Sequence, residues 1–423
     1  MVKHVVEKNN CTGCSACMTM CPVQCISMIP DDEGFLYPVA SDACIHCGRC
    51  IKVCPLQNGT KTNEDVEQDR QDAFCAISKD ISIWRRSASG GAFSELCRAF
   101  GDKDTVFCGA AWDGLYVHHV CVKGFDAIKN LCKSKYVSSN PENVFAEIKQ
   151  FLNEGKKVVF CGTPCQVAGL KKVVGKDDSN ILYIDLICHG VGSPKVFETC
   201  MKQIGDQLGG QVTSYEFRAK RNAFERDHLQ KINIKNGKQF FLSNDPYIQL
   251  FLSQSCLRPS CGKNCKFRSE HRQGDVTIAD FKGLTSVFPD LVGTKRNYST
   301  IVIHSDKAYN LLPALRDRME LRSCSIDDIK KYNPLYCRQT WFSDNRDLFF
   351  KDFIENPDNA VEQYTKSSAV SKLSLKKMVW MSLPQTVRSL VIRKIIRGGV
   401  MQEYETCSIS KVIIKKTTAD GGD

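Results

Sequence analysis

Cys11-Thr-Gly-Cys14-Ser-Ala-Cys17-Met-Thr-Met-Cys21-Pro22 and Cys44-Ile-His-Cys47-Gly-Arg-Cys50-Ile-Lys-Val-Cys54-Pro55 share one spacing. Each reads C-x2-C-x2-C-x3-C-P, the arrangement that holds a [4Fe–4S] cubane. Three thiolates two residues apart wrap a short loop round one cluster. The fourth lies beyond that loop's reach and crosses to the other cluster. The expected ligand sets are therefore Cys11, Cys14, Cys17 and Cys54 for one cluster, and Cys44, Cys47, Cys50 and Cys21 for the other. Pro22 and Pro55 turn the chain away after each fourth ligand, because proline fixes φ and has no N–H. Zinc and disulfides are weaker readings, since zinc sites usually take paired C-x2-C units rather than four-cysteine runs closed by Cys-Pro. Cys25, four residues past Cys21, is left over and reads as a small buried hydrophobe.

Two such runs make a two-cluster ferredoxin module, so residues 1–57 are expected to form an α+β ferredoxin-like domain. All eight ligands precede a polar stretch, 58–72, read as a linker because it has almost no apolar residues. The module is therefore expected to hold both clusters without the rest of the chain. The 423 residues suffice for a second domain and a tail. Twenty-four cysteines would suggest disulfides in a small secreted chain. Here the chain is long, its start (MVKHVVEKNN) does not read as a signal peptide, and no apolar run reaches membrane-spanning length. A cytoplasmic location is expected.

After the linker, apolar runs at Thr105–Trp112, Tyr116–Val122, Lys157–Cys161, Ile181–Cys188 and Val276–Asp280 read as strands. Helical periodicity marks Ala92–Phe100, Pro141–Asn153, Gln166–Val174 and Pro194–Leu208. Asn236-Gly237, between Gln230–Ile234 and Lys238–Leu242, reads as a hairpin turn. Strands alternating with helices predict an α/β domain with a mixed sheet over residues 73–345. No G-x-G-x-x-G fingerprint is present, which argues against a nicotinamide-binding Rossmann unit.

Three segments of this domain carry candidate chemistry. Val158-Val-Phe-Cys161-Gly-Thr-Pro-Cys165-Gln166 reads as a strand, a tight turn and a helix start. Tyr183-Ile-Asp185-Leu-Ile-Cys188-His189-Gly190 is a buried strand ending in cysteine. Cys256-Leu-Arg258-Pro-Ser-Cys261 leads to Cys265-Lys-Phe267 and then Asp275-Val-Thr-Ile-Ala-Asp280-Phe281. Together with Ser89-Gly-Gly-Ala-Phe93 and Ser134-Lys-Tyr-Val137, these segments resemble the coenzyme F420 hydrogenase/dehydrogenase beta-subunit family over roughly residues 75–310. The N-terminal ferredoxin module makes the chain look like a bacterial branch associated with surface-polysaccharide genes. The resemblance implies FAD and a third [4Fe–4S] cluster on Cys165, Cys188, Cys261 and Cys265. The family's usual C-x2-C is here Cys261-x3-Cys265, which leaves Cys256, and Cys161 too, as alternative ligands. The family's DFWG stands here as Asp280-Phe-Lys282-Gly283.

For the flavin pyrophosphate, the candidate residues are Ser89, Gly90 and Gly91 before a helix start, and Lys133, Ser134 and Lys135. A serine-capped helix and a solvated lysine pair are the plain alternatives. His189 is the candidate proton donor, having a pKa near the working range. Arg218-Ala-Lys220-Arg221 could bind an anion, and Asp185 and Asp280 could serve as acids or turn formers.

From Lys366 onward there are eleven basic and four acidic residues, interleaved with apolar ones that include Trp380. The region 346–423 thus reads as basic and partly amphipathic, suited to peripheral contact with an anionic membrane. Nucleic-acid binding lacks a module. The sequence therefore points to an iron–sulfur flavoprotein oxidoreductase. Electrons would pass from a ferredoxin-like donor or partner subunit through the clusters to FAD and a small organic substrate. The rivals are a non-catalytic electron-transfer subunit and a redox sensor.

Overall fold

The computed structural model describes residues 5–57, 71–141, 143–176, 179–220, 229–262, 265–338 and 345–365. In the N-terminal module, strands β1 (Ile26–Pro30) and β2 (Leu36–Ala40) form an antiparallel hairpin, with Ile26 opposite Ala40. Short helices Ala16–Thr19 and Arg49–Val53 lie within the two cysteine runs.

The larger part holds two sheets. Its strands are β3 (Asp72–Ser78), β4 (Val106–Asp113), β5 (Tyr116–Lys123), β6 (Val158–Cys161), β7 (Ile181–Leu186), β8 (Val212–Ala219), β9 (Leu229–Ile234), β10 (Gln239–Leu242), β11 (Val276–Asp280), β12 (Ser299–Ile303) and β13 (Met319–Cys324). The main sheet runs β13-β3-β12-β11-β7-β6-β4-β5. Its middle, β11-β7-β6-β4, is parallel, and both flanks are antiparallel. The expected mixed sheet is therefore present, as is the hairpin β9–β10, which joins β8 in a separate antiparallel sheet. The helices Ala92–Phe100 and Pro194–Leu208 fall where the periodicity put them.

Both faces of the parallel strands are covered, so β6 and β7 read as unbroken apolar runs. Val159, Leu182 and Ile184 face one core with Phe107, Leu96 and Ile301. Val158, Phe160, Ile181 and Tyr183 alternate onto the other face. That second core includes Cys14, Ala16, Cys17, Ile26 and Val53 of the N-terminal module, packed with Phe145, Ile148, Val167 and Leu170. The module therefore shares a hydrophobic core with the sheet rather than standing apart on its linker. Asp72, expected as the last linker residue, already pairs within the main sheet.

The C-terminal boundary also differs from expectation. Helices Asn345–Glu355 and Pro357–Tyr364 bury Phe349, Phe350, Phe353, Ala360 and Val361. Arg346 donates to the Leu257 carbonyl at 2.7 Å and pairs with Glu33 of the N-terminal module. Residues 345–365 thus belong to the folded body. The basic stretch from Lys366, with its expected membrane contact, lies outside the described residues. Among the described residues, no helix is long and apolar enough to cross a membrane.

Candidate functional site

The two N-terminal ligand sets differ in depth. Cys11, Cys14, Cys17 and Cys54 are all buried, whereas Cys21, Cys44 and Cys50 are half-buried and Cys47 is exposed. Burial pushes the Cys14 thiol up to about 11, with Cys11 and Cys54 adding repulsion. Cys17 is raised by burial and then by Cys14, Cys11 and Cys54. The members of the first set thus lie within electrostatic reach of one another, including Cys54 from the other run. Cys25, the spare cysteine, is buried with its Sγ 3.4 Å from that of Cys21.

A second group of cysteines gathers at the carboxyl ends of β6 and β7, where open α/β sheets form their crevices. The chain leaves β6 through Gly162-Thr163, and the helix Pro164–Val174 begins at once. Thr163 is its N-cap, Gln166 closes a capping box, and Pro164 occupies the first turn. Cys165 therefore sits in the first turn, at the positive end of the helix dipole. Cys188 follows β7. Cys261 ends a 3-10 turn, Pro259–Cys261, and Cys265 follows shortly.

Cys165, Cys188, Cys261 and Cys265 line one cavity of about 560 Å³, measured to its open mouth. Thr12 and Gly13, from the first cysteine run of the N-terminal module, line the same cavity. Burial, then repulsion from Cys188, Cys261 and Cys265, raises the Cys165 thiol well above its usual value. Burial takes Cys261 to about 12, with Cys188 and Cys265 contributing. Four soft donors lining one cavity are of the type that suits an iron–sulfur cluster or zinc, whose charge would reverse this penalty, although among the described residues no three are placed to hold a single metal ion as they stand. Arg268 also lines the cavity and donates to the Cys188 and His189 carbonyls.

Of the alternative ligands, neither is among the lining residues. Cys256 is fully buried, and Cys161 lies near Lys135, Asp185 and Cys132. His189 does not line the cavity either. Its ring packs on Phe251, with Nε2 3.3 Å from the Phe251 carbonyl. Burial, Arg268 and Lys282 lower its pKa to about 4, which leaves it neutral near pH 7. Asp185 is a structural acceptor: it takes hydrogen bonds from Thr277, Arg272 and the Gln273 and Gly274 amides.

The N-terminal module is fixed beside this cavity by close contacts. A Cβ on Gly169, in the helix that starts at Cys165, would come within 2.9 Å of Cys14 Sγ. Arg258, between Cys256 and Cys261, is 1% exposed. Its Nε donates to the Cys11 carbonyl at 2.7 Å and Nη2 to the Leu36 carbonyl at 2.8 Å. Its guanidinium lies 4.3 Å from the centre of the Tyr37 ring. A buried arginine thus reaches from the core into the N-terminal module.

The expected flavin residues divide. Ser89 and Gly90 are packed into the sheet: Ser89 Oγ donates to the Tyr298 carbonyl, and a Cβ on Gly90 would meet the Ala76 carbonyl at 2.2 Å. The close approach that requires glycine here is that of the protein's own strands. Gly91, at φ +101°, starts the helix Ala92–Phe100. Lys220 ties this loop to a basic cluster. Its Nζ donates to the Trp84 and Ser89 carbonyls and sits 3.8 Å over the Trp84 ring. Burial, then Arg218 and Lys133, lowers its pKa to about 7.

Lys133 pairs with Glu216, and Arg218 with Asp280 at the end of β11. Both Lys133 and Arg218 have left-handed backbones, at φ +69° and +58°, a strain often stored at functional sites. Among the described residues, Arg218 Nε and Arg86 Nε are buried with no hydrogen-bond partner. Lys135 is instead turned onto the Leu131 and Cys132 carbonyls. Nothing in the structure gives Ser134 a part in this cluster. The sequence offered Arg218-Ala-Lys220-Arg221 as an anion-binding segment or a solvated basic loop, and Arg221 lies outside the described residues. No local signal connects it with Lys133, Ser89 and Asp280, which come from distant segments.

Fold and cysteine sets together define an iron–sulfur electron-transfer protein with a mixed α/β body. Residues 10–58 match the 4Fe-4S dicluster domain. Residues 155–329 match the C-terminal domain of the coenzyme F420 hydrogenase/dehydrogenase beta subunit. Among solved structures, the chain is similar to one from the F420-reducing [NiFe] hydrogenase complex of Methanosarcina barkeri, determined with xenon. Identity is 16% and TM-score 0.42, over 72% of this chain and 95% of that one. No curated protein matches the chain.

Proposed function

We propose that the chain is an oxidoreductase that relays electrons from its N-terminal pair of clusters, through a third cluster, to a flavin and a small organic acceptor. The observation that carries this reading is the cavity where Cys165, Cys188, Cys261 and Cys265 meet Thr12 and Gly13 of the first cysteine run. Those four cysteines would hold the third cluster. Cys165 at a helix N-terminus and Arg268 beside Cys188 bring positive potential to an anionic group. Arg258 keeps the Cys11–Gly13 loop against the cavity.

The basic cluster would hold the flavin's pyrophosphate. Lys133, Arg218 and Lys220 face two carboxylates, Glu216 and Asp280, and the buried Arg218 Nε lacks an acceptor among the described residues. A dianion would supply acceptors and offset the repulsion that lowers Lys220. The helix start at Gly91 adds backbone dipoles nearby. A bound flavin supplies the conversion between single electrons and the pair that organic reductions need. Asp280 orients Arg218, and Lys220 braces the Trp84–Ser89 loop.

The test is anaerobic reconstitution of the full chain. About twelve irons, three cubanes, are expected. Cys188→Ser or Cys265→Ser should lower the content by about four and leave the N-terminal pair intact. Paired loss of FAD from Arg218→Met and Lys220→Met, with iron unchanged, would support the flavin site. Unchanged iron in both cysteine variants would show these residues to be structural.

A further inference from the structure

The depth of the two N-terminal ligand sets gives the relay an outer and an inner end. The set of Cys11, Cys14, Cys17 and Cys54 is buried and its loop lines the cysteine cavity. The set of Cys21, Cys44, Cys47 and Cys50 reaches the surface, and Cys47 is exposed. Five of the eleven exposed large hydrophobics among the described residues lie in this small module. Three of them, Val23, Ile45 and Ile51, flank the outer cysteines at 41%, 59% and 51% exposure. Val23 lies in the turn after Cys21, and the Ser41 amide donates to the Cys25 carbonyl, which holds that turn beside the Cys44 loop. Exposed apolar side chains thus flank, in sequence, the one exposed cysteine among the described residues.

The charges around these side chains have a sign. Arg49 and Lys52 are exposed within the second cysteine run, with His46 between Ile45 and Cys47, and Asp42 is the one acid in the sequence from 41 to 57. Of the module's four other acids, Asp31 and Glu33 pair with Lys8 and Arg346, and Glu7 and Asp32 are exposed outside the second cysteine run. The inner set has no such face, since it is covered by the helices Val144–Asn153 and Pro164–Val174. Apolar contact beside two exposed cations matches a small carrier whose own redox centre is surrounded by carboxylates.

We propose that the surface formed by Val23, Ile45, Cys47, Arg49, Ile51 and Lys52 is the docking port for an acidic, small one-electron carrier protein. This inference rests on the relay reading above. Each encounter moves one electron and neither makes nor breaks a bond. The carrier's reduced centre is oxidised by one electron, and the cluster held by Cys21, Cys44, Cys47 and Cys50 is reduced by one.

The experiment uses the reconstituted full chain and an acidic two-cluster bacterial ferredoxin as probe. Calorimetry with both partners oxidised reports binding without turnover, and stopped flow reports cluster reduction by the reduced probe. Dithionite, which needs no protein docking, is the control reductant. Arg49→Glu/Lys52→Glu and, separately, Ile45→Asp are expected to weaken binding and slow reduction about tenfold or more, because charge reversal removes the steering and the buried anchor. Their iron content and dithionite reduction should match wild type. Raised salt should weaken wild-type binding and leave the charge-reversed variant unaffected. Wild-type affinity in all variants, or a failure of the wild type to bind the acidic probe, overturns the port. If dithionite reduces the N-terminal clusters but no electron reaches a third, the relay reading falls instead.

Discussion

Replacing Arg258 by alanine tests whether one side chain holds the N-terminal module in place. The guanidinium is buried and donates to the Cys11 and Leu36 carbonyls across the boundary between module and core. Stripping a buried acceptor of its donor costs about 1–3 kcal/mol at the well-sealed Cys11 carbonyl, and about 1 kcal/mol at the part-buried Leu36 carbonyl. Loss of the cation from above the Tyr37 ring removes about 1 kcal/mol more. The sum is about 3–5 kcal/mol, a large share of the roughly 5–15 kcal/mol that holds a domain together. At about 2 cal/mol/K of unfolding entropy per residue, that corresponds to a fall in Tm of about 4–7 °C for a chain of this size. Anaerobic calorimetry of the reconstituted protein reads the shift, and hydrogen exchange locates it. Protection should drop at residues 11–14 and 34–38 before it drops in the main sheet. Lysine should rescue poorly, because one ammonium cannot span both carbonyls and lie flat on the ring. A Tm within a degree or two of wild type, with unchanged exchange at Cys11 and Leu36, would refute the reasoning.

Other outcomes follow from the same geometry. Cys256→Ser and Cys161→Ser should keep the full iron content, checked by iron analysis, because neither lines the cavity. Lys220, lowered to about 7 from an unfolded value near 10.4, favours its neutral form in the folded state. Its contribution therefore opposes folding most at and below pH 7 and fades as pH rises toward 10. Denaturation curves of Lys220→Met should accordingly show a gain over wild type at pH 7 that shrinks by pH 9.5. Binding of inorganic pyrophosphate to flavin-free protein should weaken from pH 6.5 to 8.5 in wild type, and the variant should lack that slope. A chain ending at Thr365 should keep its clusters and melting temperature. One ending at Arg338 loses Arg346 and the buried Phe349, Phe350 and Phe353, and should melt lower and expose the module to proteolysis.

The cysteine runs were legible because their information is local. Ligands two and three residues apart need only a loop, and the crossed fourth ligand follows from reach. β4, β6, β7 and β11 were legible because a strand covered on both faces is largely apolar, and β5 because its apolar residues alternate along an edge. The flanking strands β3, β12 and β13 were not named, because they pair antiparallel, outside the βαβ rhythm. Cys165, Cys188, Cys261 and Cys265 come from three segments that only the fold unites. Their grouping could be stated beforehand through family resemblance alone. The role of Gly90 was misread, because glycine's need for close approach does not say what approaches. The junction of module and sheet was invisible, since Cys14 against Gly169 joins residues far apart in the chain.

That junction has a kinetic meaning. A carrier domain on a free tether must swing between loading and unloading positions, and its rate then depends on solvent drag. Here Cys14 rests on the helix Pro164–Val174, whose first turn carries Cys165, and both share one hydrophobic core. The spacing from the inner N-terminal cluster to the core is set when the chain folds. Added viscogen should therefore slow only the encounter with an outside carrier and leave passage within the molecule unchanged.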